Sequence, residues 1–234
     1  MNVALIPVRG GSKSIHLKNI KEIYGHPLVY WSMKAAVECE QIDKVYVSTD
    51  SEKIRDIVNS IILEEGYEHK AIVIGRSSEV STDTASTESV MLEFASKNEF
   101  DNIVLIQATS PLITSKDISK GFETLFKTNI DSVLSVVRQK RFCWREEDDG
   151  RALPINYDVY NRPRRQEFDG YLVENGAFYI TPRDLLISSG NRVSGNIGLV
   201  EMPEDSYYEI DEQVDWIIIE KLLEERIKKG GAKL

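Results

Sequence analysis

Short β-branched runs alternate with amphipathic stretches through the first two-thirds of this chain, and that alternation narrows the fold more than any other feature. Val3–Ile6, Lys44–Ser48, Ala71–Ile74 and Asn102–Ile106 are the apolar runs expected of strands buried on both faces. Between them, Pro27–Glu38, Ser51–Glu64, Thr84–Lys97 and Ser115–Phe126 carry apolar residues at helical spacing. Pro27 suits a first helical turn, and Ser51 and Thr114 or Ser115 can cap the amides that follow. A further strand, Asp131–Val136, follows the fourth helix. This rhythm predicts an α/β chain with a mostly parallel sheet and helices on both faces. A length of 234 residues supports one sizeable core, so residues 1–234 are read as a single domain.

The rhythm breaks after the fifth strand. Arg141–Tyr171 is rich in charge, aromatics and proline, with no sustained period, and is too long for an ordinary connection. Regular structure returns in Asn175–Ile180 and Ile197–Val200, and a helix from about Glu212 to Lys228 closes the chain. Its Lys/Arg-rich end suits the helix dipole.

Composition excludes several classes. A hydrophobic share of 41% is too high for a largely disordered chain. No run approaches the roughly 18 apolar residues of a membrane span. Met1–Pro7 reads as a buried strand rather than a signal peptide. Cys39 and Cys143 form neither a disulfide framework nor a zinc pattern, which fits a reducing cytoplasm. A net charge of −9 argues against nucleic acid as a partner. Yet Arg138–Arg165 holds eight Lys/Arg against five Asp/Glu, a local surplus suited to a small anionic ligand. Incidental arginines on a solvated loop are the plain alternative.

The segment with most chemistry is Ile6-Pro7-Val8-Arg9-Gly10-Gly11-Ser12-Lys13-Ser14, followed by Leu17-Lys18-Asn19. A buried strand ends there, and two glycines let the backbone turn tightly against a ligand. Consecutive amides can nest phosphate oxygens, with Arg9, Lys13 and Lys18 available to neutralise charge. The third glycine of a dinucleotide fingerprint is missing, and no Gly-Lys-Ser/Thr follows at Walker A spacing.

Ile6–Asn19, with His26-Pro27-Leu28-Val29 behind it, resembles the opening signature of sugar-activating cytidylyltransferases, in the branch that makes CMP-sialic acid and its relatives. Val47–Asp50, Asp83–Thr87, Leu105–Leu112, Arg162–Gln166, Glu174–Tyr179 and Glu209–Asp211 match in order, so the resemblance runs from Val3 to about Trp216. Arg162–Tyr179 looks closest to the vertebrate-like subtype of acylneuraminate cytidylyltransferase, without its phosphatase-like C-terminal extension.

The resemblance implies a Rossmann-like nucleotidyltransferase domain, with residues 138–171 as a protruding dimerisation and substrate arm, and a homodimer in which the arm reaches the neighbour's sugar site. It implies transfer of CMP from CTP to the anomeric hydroxyl of a nine-carbon α-keto acid sugar, with Mg²⁺ as cofactor. Other acid sugars (deaminated sialic, legionaminic, pseudaminic or octulosonic acid) would serve the same chemistry, and a nucleotide-binding protein without turnover is a further alternative.

By the same resemblance, Arg9 and Lys18 hold the triphosphate, with Gly10, Gly11, Ser12 and Asn19 fixing the nucleotide and Arg76, Ser86 and Thr87 at its far end. Gln107, Glu174, Asn175 and Tyr179 would meet the sugar, and Arg165 its carboxylate. A lysine and an arginine facing a triphosphate are the expected stabilisers of charge on the α-phosphate and pyrophosphate. A planar guanidinium grips a carboxylate with two hydrogen bonds. Asp211 and Glu209 are the metal candidates, few carboxylates being usual for Mg²⁺. Plain readings stay open: a solvated Lys18, a helix cap at Ser86, a cap at Thr109-Ser110-Pro111, and Asp211 capping the last helix. The chain departs from the pattern at Ser14, where glycine is common, at His16-Leu17, and at Glu209, where many relatives have aspartate. His16 as a general base is a minor reading.

Overall fold

The computed structural model describes residues 1–11 and 14–230. In chain order the strands are β1 (Asn2–Pro7), β2 (Glu22–Ile23), β3 (His26–Pro27), β4 (Lys44–Thr49), β5 (Ala71–Gly75), β6 (Asn102–Ile106), β7 (Ser132–Gln139), β8 (Trp144–Glu146), β9 (Ala152–Pro154), β10 (Tyr171–Pro182) and β11 (Ile197–Met202). The helices are α1 (Leu28–Val37), α2 (Glu52–Glu64), α3 (Thr87–Lys97), α4 (Ser115–Leu125), α5 (Arg183–Ser189) and α6 (Gln213–Gly230).

Seven strands form one sheet in the order β11-β7-β10-β6-β1-β4-β5. Its pairs are parallel except at β10, which runs antiparallel to both neighbours. Alternation along each strand divides the core in two. Val3, Leu5, Ile103 and Leu105 pack with Met91 and Phe94 of α3 and Leu186 of α5 on one face. Ala4, Ile6, Val104 and Ile106 face α1, α2, α4 and α6 through Leu28, Ile54, Phe122 and Ile219. Strands covered on both faces are apolar at every position, which is why they read as unbroken runs.

Caps set the helix starts. Ser51 accepts from the Ile54 amide at 3.4 Å and Ser86 from the Ser89 amide at 3.1 Å, so α3 begins at Thr87 rather than at Thr84. Thr114 and Asp117 form a reciprocal capping box at α4. Gly121 in mid-α4 admits the sheet: a Cβ there would lie 2.7 Å from Ile180 Cδ1 and 2.8 Å from Phe178 Cε2.

The strand expected at Asn175–Ile180 is twice as long, and its register shifts between Glu174 and Tyr179. Gly176 sits in that bulge at φ +68°. The short ribbon β2–β3 and the seven-residue α5 carried no periodic signal. Between β7 and β10 the chain forms only the β8–β9 ribbon and a 3₁₀ turn at Val159–Asn161. Phe142 packs there on Tyr157 and Phe168, with Arg162 over its ring at 4.4 Å, while Trp144, Ile155 and Tyr160 stand exposed. Among the described residues no helix is long and apolar enough to cross a membrane.

Candidate active site

β1, β4, β5 and β6 are parallel, so their carboxyl ends share one edge of the sheet. The chain steps from β1 outward to β4 and β5, then returns to lay β6 on the other side of β1. The crevice where strand order reverses is where open α/β sheets take ligands. A cleft of about 290 Å³ opens there, lined by Arg9, Asn19, Arg76, Ser86, Thr87 and Gln107. Six residues expected at the nucleotide and sugar thus share one cleft, although they come from three separate connections, after β1, β5 and β6.

Arg9, Asn19 and Ser86 are held by their neighbours. The Arg9 guanidinium donates to Asp83 Oδ1 at 2.8 Å and to the Thr82 carbonyl at 3.3 Å. Asn19 donates to the Arg9 carbonyl at 3.2 Å. Ser86 both caps α3 and lines the cleft, so the plain and the functional reading coincide. The N-terminus of α3 therefore presents its positive dipole end to the cleft.

Lys18 is buried rather than solvated. Leu17 adopts a left-handed conformation (φ 51°) and starts a 3₁₀ turn at Lys18–Ile20. Lys18 Nζ donates to the Ile210 carbonyl at 2.5 Å and lies 3.4 Å from Asp211 Oδ1. The Ile210 amide donates to the carbonyl of Thr109, a cleft residue, at 2.8 Å. Glu209–Asp211 is thus clamped beside the cleft between the Lys18 turn and the end of β6. Burial, and then the Asp211 charge, push the Glu209 carboxyl above its usual value. The bulge completes this corner, since a Cβ on Gly176 would lie 3.1 Å from Gln107 Nε2 and 3.3 Å from Glu209 Oε2.

Asp211 does not cap α6. The Asp215 carboxylate accepts the amides of Asp211 and Glu212 at 3.0 and 2.7 Å, leaving the Asp211 side chain largely exposed. Thr109-Ser110-Pro111 caps nothing either, because α4 starts later, at Ser115.

Other expected residues stand apart from the cleft. Asn175 is buried, accepting from Ser135 Oγ at 2.7 Å and donating to the Ser206 carbonyl at 2.9 Å. Tyr179 lies in the core, donating to Glu174, with Arg192 at 5.1 Å over its ring. Burial, and then Glu174, push its hydroxyl upward in pKa. Arg165 is on the exposed segment between β9 and β10, 3.7 Å from Glu204. Gly11 is exposed with open space around it, and Ser12 lies outside the described residues.

Residues 3–149 match the family model described as cytidylyltransferase. The chain belongs to the cytidylyltransferase family. It is 41% identical over 222 residues to an N-acylneuraminate cytidylyltransferase of Oncorhynchus mykiss, covering 93% of this chain and 49% of that protein. It spans about half the length of the N-acylneuraminate cytidylyltransferases that it matches in fish. A Campylobacter coli post-translational flagellin modification protein B is 30% identical, with 94% of each chain covered. In fold it resembles a CMP:2-keto-3-deoxy-manno-octonic acid synthetase solved with CTP (TM-score 0.66, 19% identity, 96% and 99% of the two chains). It also resembles the 4-diphosphocytidyl-2C-methyl-D-erythritol synthase of Anaerococcus prevotii (TM-score 0.70, 14% identity, 95% and 96%).

Within this cytidylyltransferase chain, sequence reasoning passed over Thr82, Asp83 and Asp50 as site residues. Asp83 pairs with Arg9, and Asp50 accepts from the Gly10 amide at 3.0 Å. Both acids sit inside the quoted motifs, and a carboxylate directly after a buried strand, as at Asp50, is the signal available in the sequence.

Proposed function

We propose that the chain transfers CMP from CTP to the anomeric hydroxyl of a nine-carbon α-keto acid sugar and releases pyrophosphate. One observation carries this reading: Arg9, Asn19, Arg76, Ser86, Thr87 and Gln107 converge on one cleft at the strand-order reversal, with Lys18, Glu209 and Asp211 beside it. The anomeric oxygen attacks the α-phosphorus in line, and the bond from that phosphorus to the bridging β-phosphate oxygen breaks. Arg9 exchanges Asp83 for phosphate oxygens, and Lys18 balances charge on the departing pyrophosphate. Gln107 and the bulge at Gly176 face the sugar, while Asn175 and Tyr179 are taken up by Ser135, Ser206 and Glu174 away from the cleft.

The donor set fits magnesium. Glu209 and Asp211 are the two carboxylates that would hold the ion, and among the described residues no cluster of three or more His, Cys, Asp or Glu suited to a metal occurs. That is the sparse protein share usual for an ion bound largely through phosphate and water. Burial and mutual repulsion at Glu209 are what a nearby divalent cation relieves. Bound there, Mg²⁺ supplies neutralisation of phosphate charge.

The exposed arm supports a homodimer. Trp144, Ile155, Val159 and Tyr160 would be covered by a partner, and Arg165 on that segment would grip the carboxylate of a sugar in the partner's cleft. Free Cys39 and Cys143 are consistent with a cytoplasmic site of action.

Pyrophosphate release from CTP and Mg²⁺ with a panel of acceptors tests the reading: N-acetylneuraminate, its deaminated analogue and the eight-carbon octulosonate. Release with one nine-carbon acid, abolished by removing metal, is the expected result. Release only with the octulosonate moves the acceptor and keeps the chemistry. CTP binding with silence across the panel would favour a chain without turnover.

A further inference from the structure

We propose that Asp50 is the positioning residue of the nucleotide cleft, clipping the glycine turn after β1 to Arg76 without itself touching the nucleotide. The inference rests on reading the cleft as a nucleotide site. Asp50 follows β4 directly, and its Oδ1 accepts the Gly10 amide at 3.0 Å and lies 3.2 Å from Arg76 Nη2. Arg76 itself directly follows β5. The ends of β1, β4 and β5 therefore meet on one oxygen atom.

Each partner depends on that oxygen. The Arg76 side chain is only 5% exposed, and its Nε is buried with no hydrogen-bond partner. A guanidinium so enclosed needs a carboxylate to balance it. Gly10 lies flat on the start of α2, where a Cβ would come within 3.0 Å of Ser51 Cβ. A glycine turn has much backbone freedom to lose on binding, and a turn already fixed lowers that cost.

A carboxylate is a poor neighbour for a triphosphate, so direct contact does not explain an acid here. Asp50 lines the adjoining pocket on the far side of Arg76 rather than the cleft itself, whereas Arg76 and Arg9, which flanks the turn, both line the cleft. Its two partners account for it: it presents the turn and the arginine in a fixed relation before nucleotide arrives.

Asp50→Asn and Asp50→Ala separate its two contacts. Asparagine keeps an oxygen for the Gly10 amide and loses the charge facing Arg76, whereas alanine loses both. Equilibrium CTP binding by calorimetry is measured alongside pyrophosphate release with CTP and acceptor varied in turn. CTP affinity is expected to fall about tenfold in the asparagine variant and about 100-fold in the alanine variant, the range for hydrogen bonds to charged groups. The acceptor KM stays within about twofold of wild type, because the clip serves only the nucleotide side. Asparagine and wild type with equal CTP affinity would overturn the proposal, as would equal losses for CTP and acceptor. Wild-type protein that fails to bind CTP overturns the nucleotide reading first, and the positioning role with it. Variants that match a wild type binding CTP well overturn the positioning role alone.

Discussion

The Lys18 ammonium and the Asp211 carboxylate lie 3.4 Å apart although 193 residues separate them in the chain. With the Ile210 carbonyl as a second acceptor for Lys18, the first loop and the segment before the last helix close on each other beside the cleft. The proposed phosphate-binding cation and the proposed metal carboxylate are thus one structural unit.

Lys18→Met keeps the stem and removes the charge. Pyrophosphate release should fall by about 100-fold or more, the size of a single preorganised stabiliser of developing charge. Stability should fall by about 1–3 kcal/mol, since the Ile210 carbonyl loses its buried donor. Steady-state rates and thermal denaturation check both numbers, and an unchanged rate would remove Lys18 from the chemistry.

Glu209 gives a pH signature. Its carboxyl is raised in the folded chain by burial and by Asp211, so the folded state holds this proton more tightly than the unfolded state. Stability contributed by the protonated form is present below the unfolded value near 4.5 and is lost as pH rises through the folded value. Glu209→Gln should therefore raise the metal-free melting temperature at pH 7 and leave it unchanged near pH 4. Added Mg²⁺ should stabilise wild type more than the variant. A neutral-pH melting temperature that drops in Glu209→Gln would contradict the burial account.

Gly121 is a packing glycine rather than a turn glycine. Alanine is favoured over glycine in helices by about 1 kcal/mol. The added Cβ would nevertheless meet Ile180 and Phe178 at 2.7 and 2.8 Å, inside contact distance. Overpacking of about 1–3 kcal/mol should win, and calorimetric unfolding of Gly121→Ala should show a lower melting temperature. An increase would mean that α4 can lift from β10 at little cost.

Arg165 should separate function from stability. Its partner Glu204 is 3.7 Å away and both side chains are mostly exposed, so the pair contributes little to folding. Arg165→Ala is expected to keep the melting temperature and CTP affinity while the acceptor KM rises by about tenfold or more, the loss of one charge-assisted carboxylate contact. Mixing Arg165→Ala with a cleft-dead Lys18→Met protein tests the arm in trans: the heterodimer should show the wild-type acceptor KM, and a KM that stays raised would confine Arg165 to its own subunit.

Strand–helix alternation exposed the sheet and the cleft-bearing loops because both leave local marks. A doubly covered strand is apolar at each position, as at Val3–Ile6 and Ile103–Ile106, and a cap such as Ser51 precedes its helix. The antiparallel direction of β10 left no such mark, because a buried strand looks alike in either direction. Short α5 and the β8–β9 ribbon were equally silent, being too brief to show a period.

The residue types for the site were also legible: Arg9, Lys18, Asn19 and Gln107 stand at strand ends or in the turns after them, where ligands bind. Whether a polar side chain opens to the cleft or serves the core was decided only by the fold. Asn175 and Tyr179 turn inward to Ser135 and Arg192, while Ser86 and Thr87 turn to the cleft. Asp50 acquires its partners only because β1, β4 and β5 end side by side. Sequence by itself determined which segments can be buried, since burial follows from composition over a few residues. Partnership between charges is different: it depends on distances of a few ångströms between segments far apart in the chain, and only the packed sheet sets those.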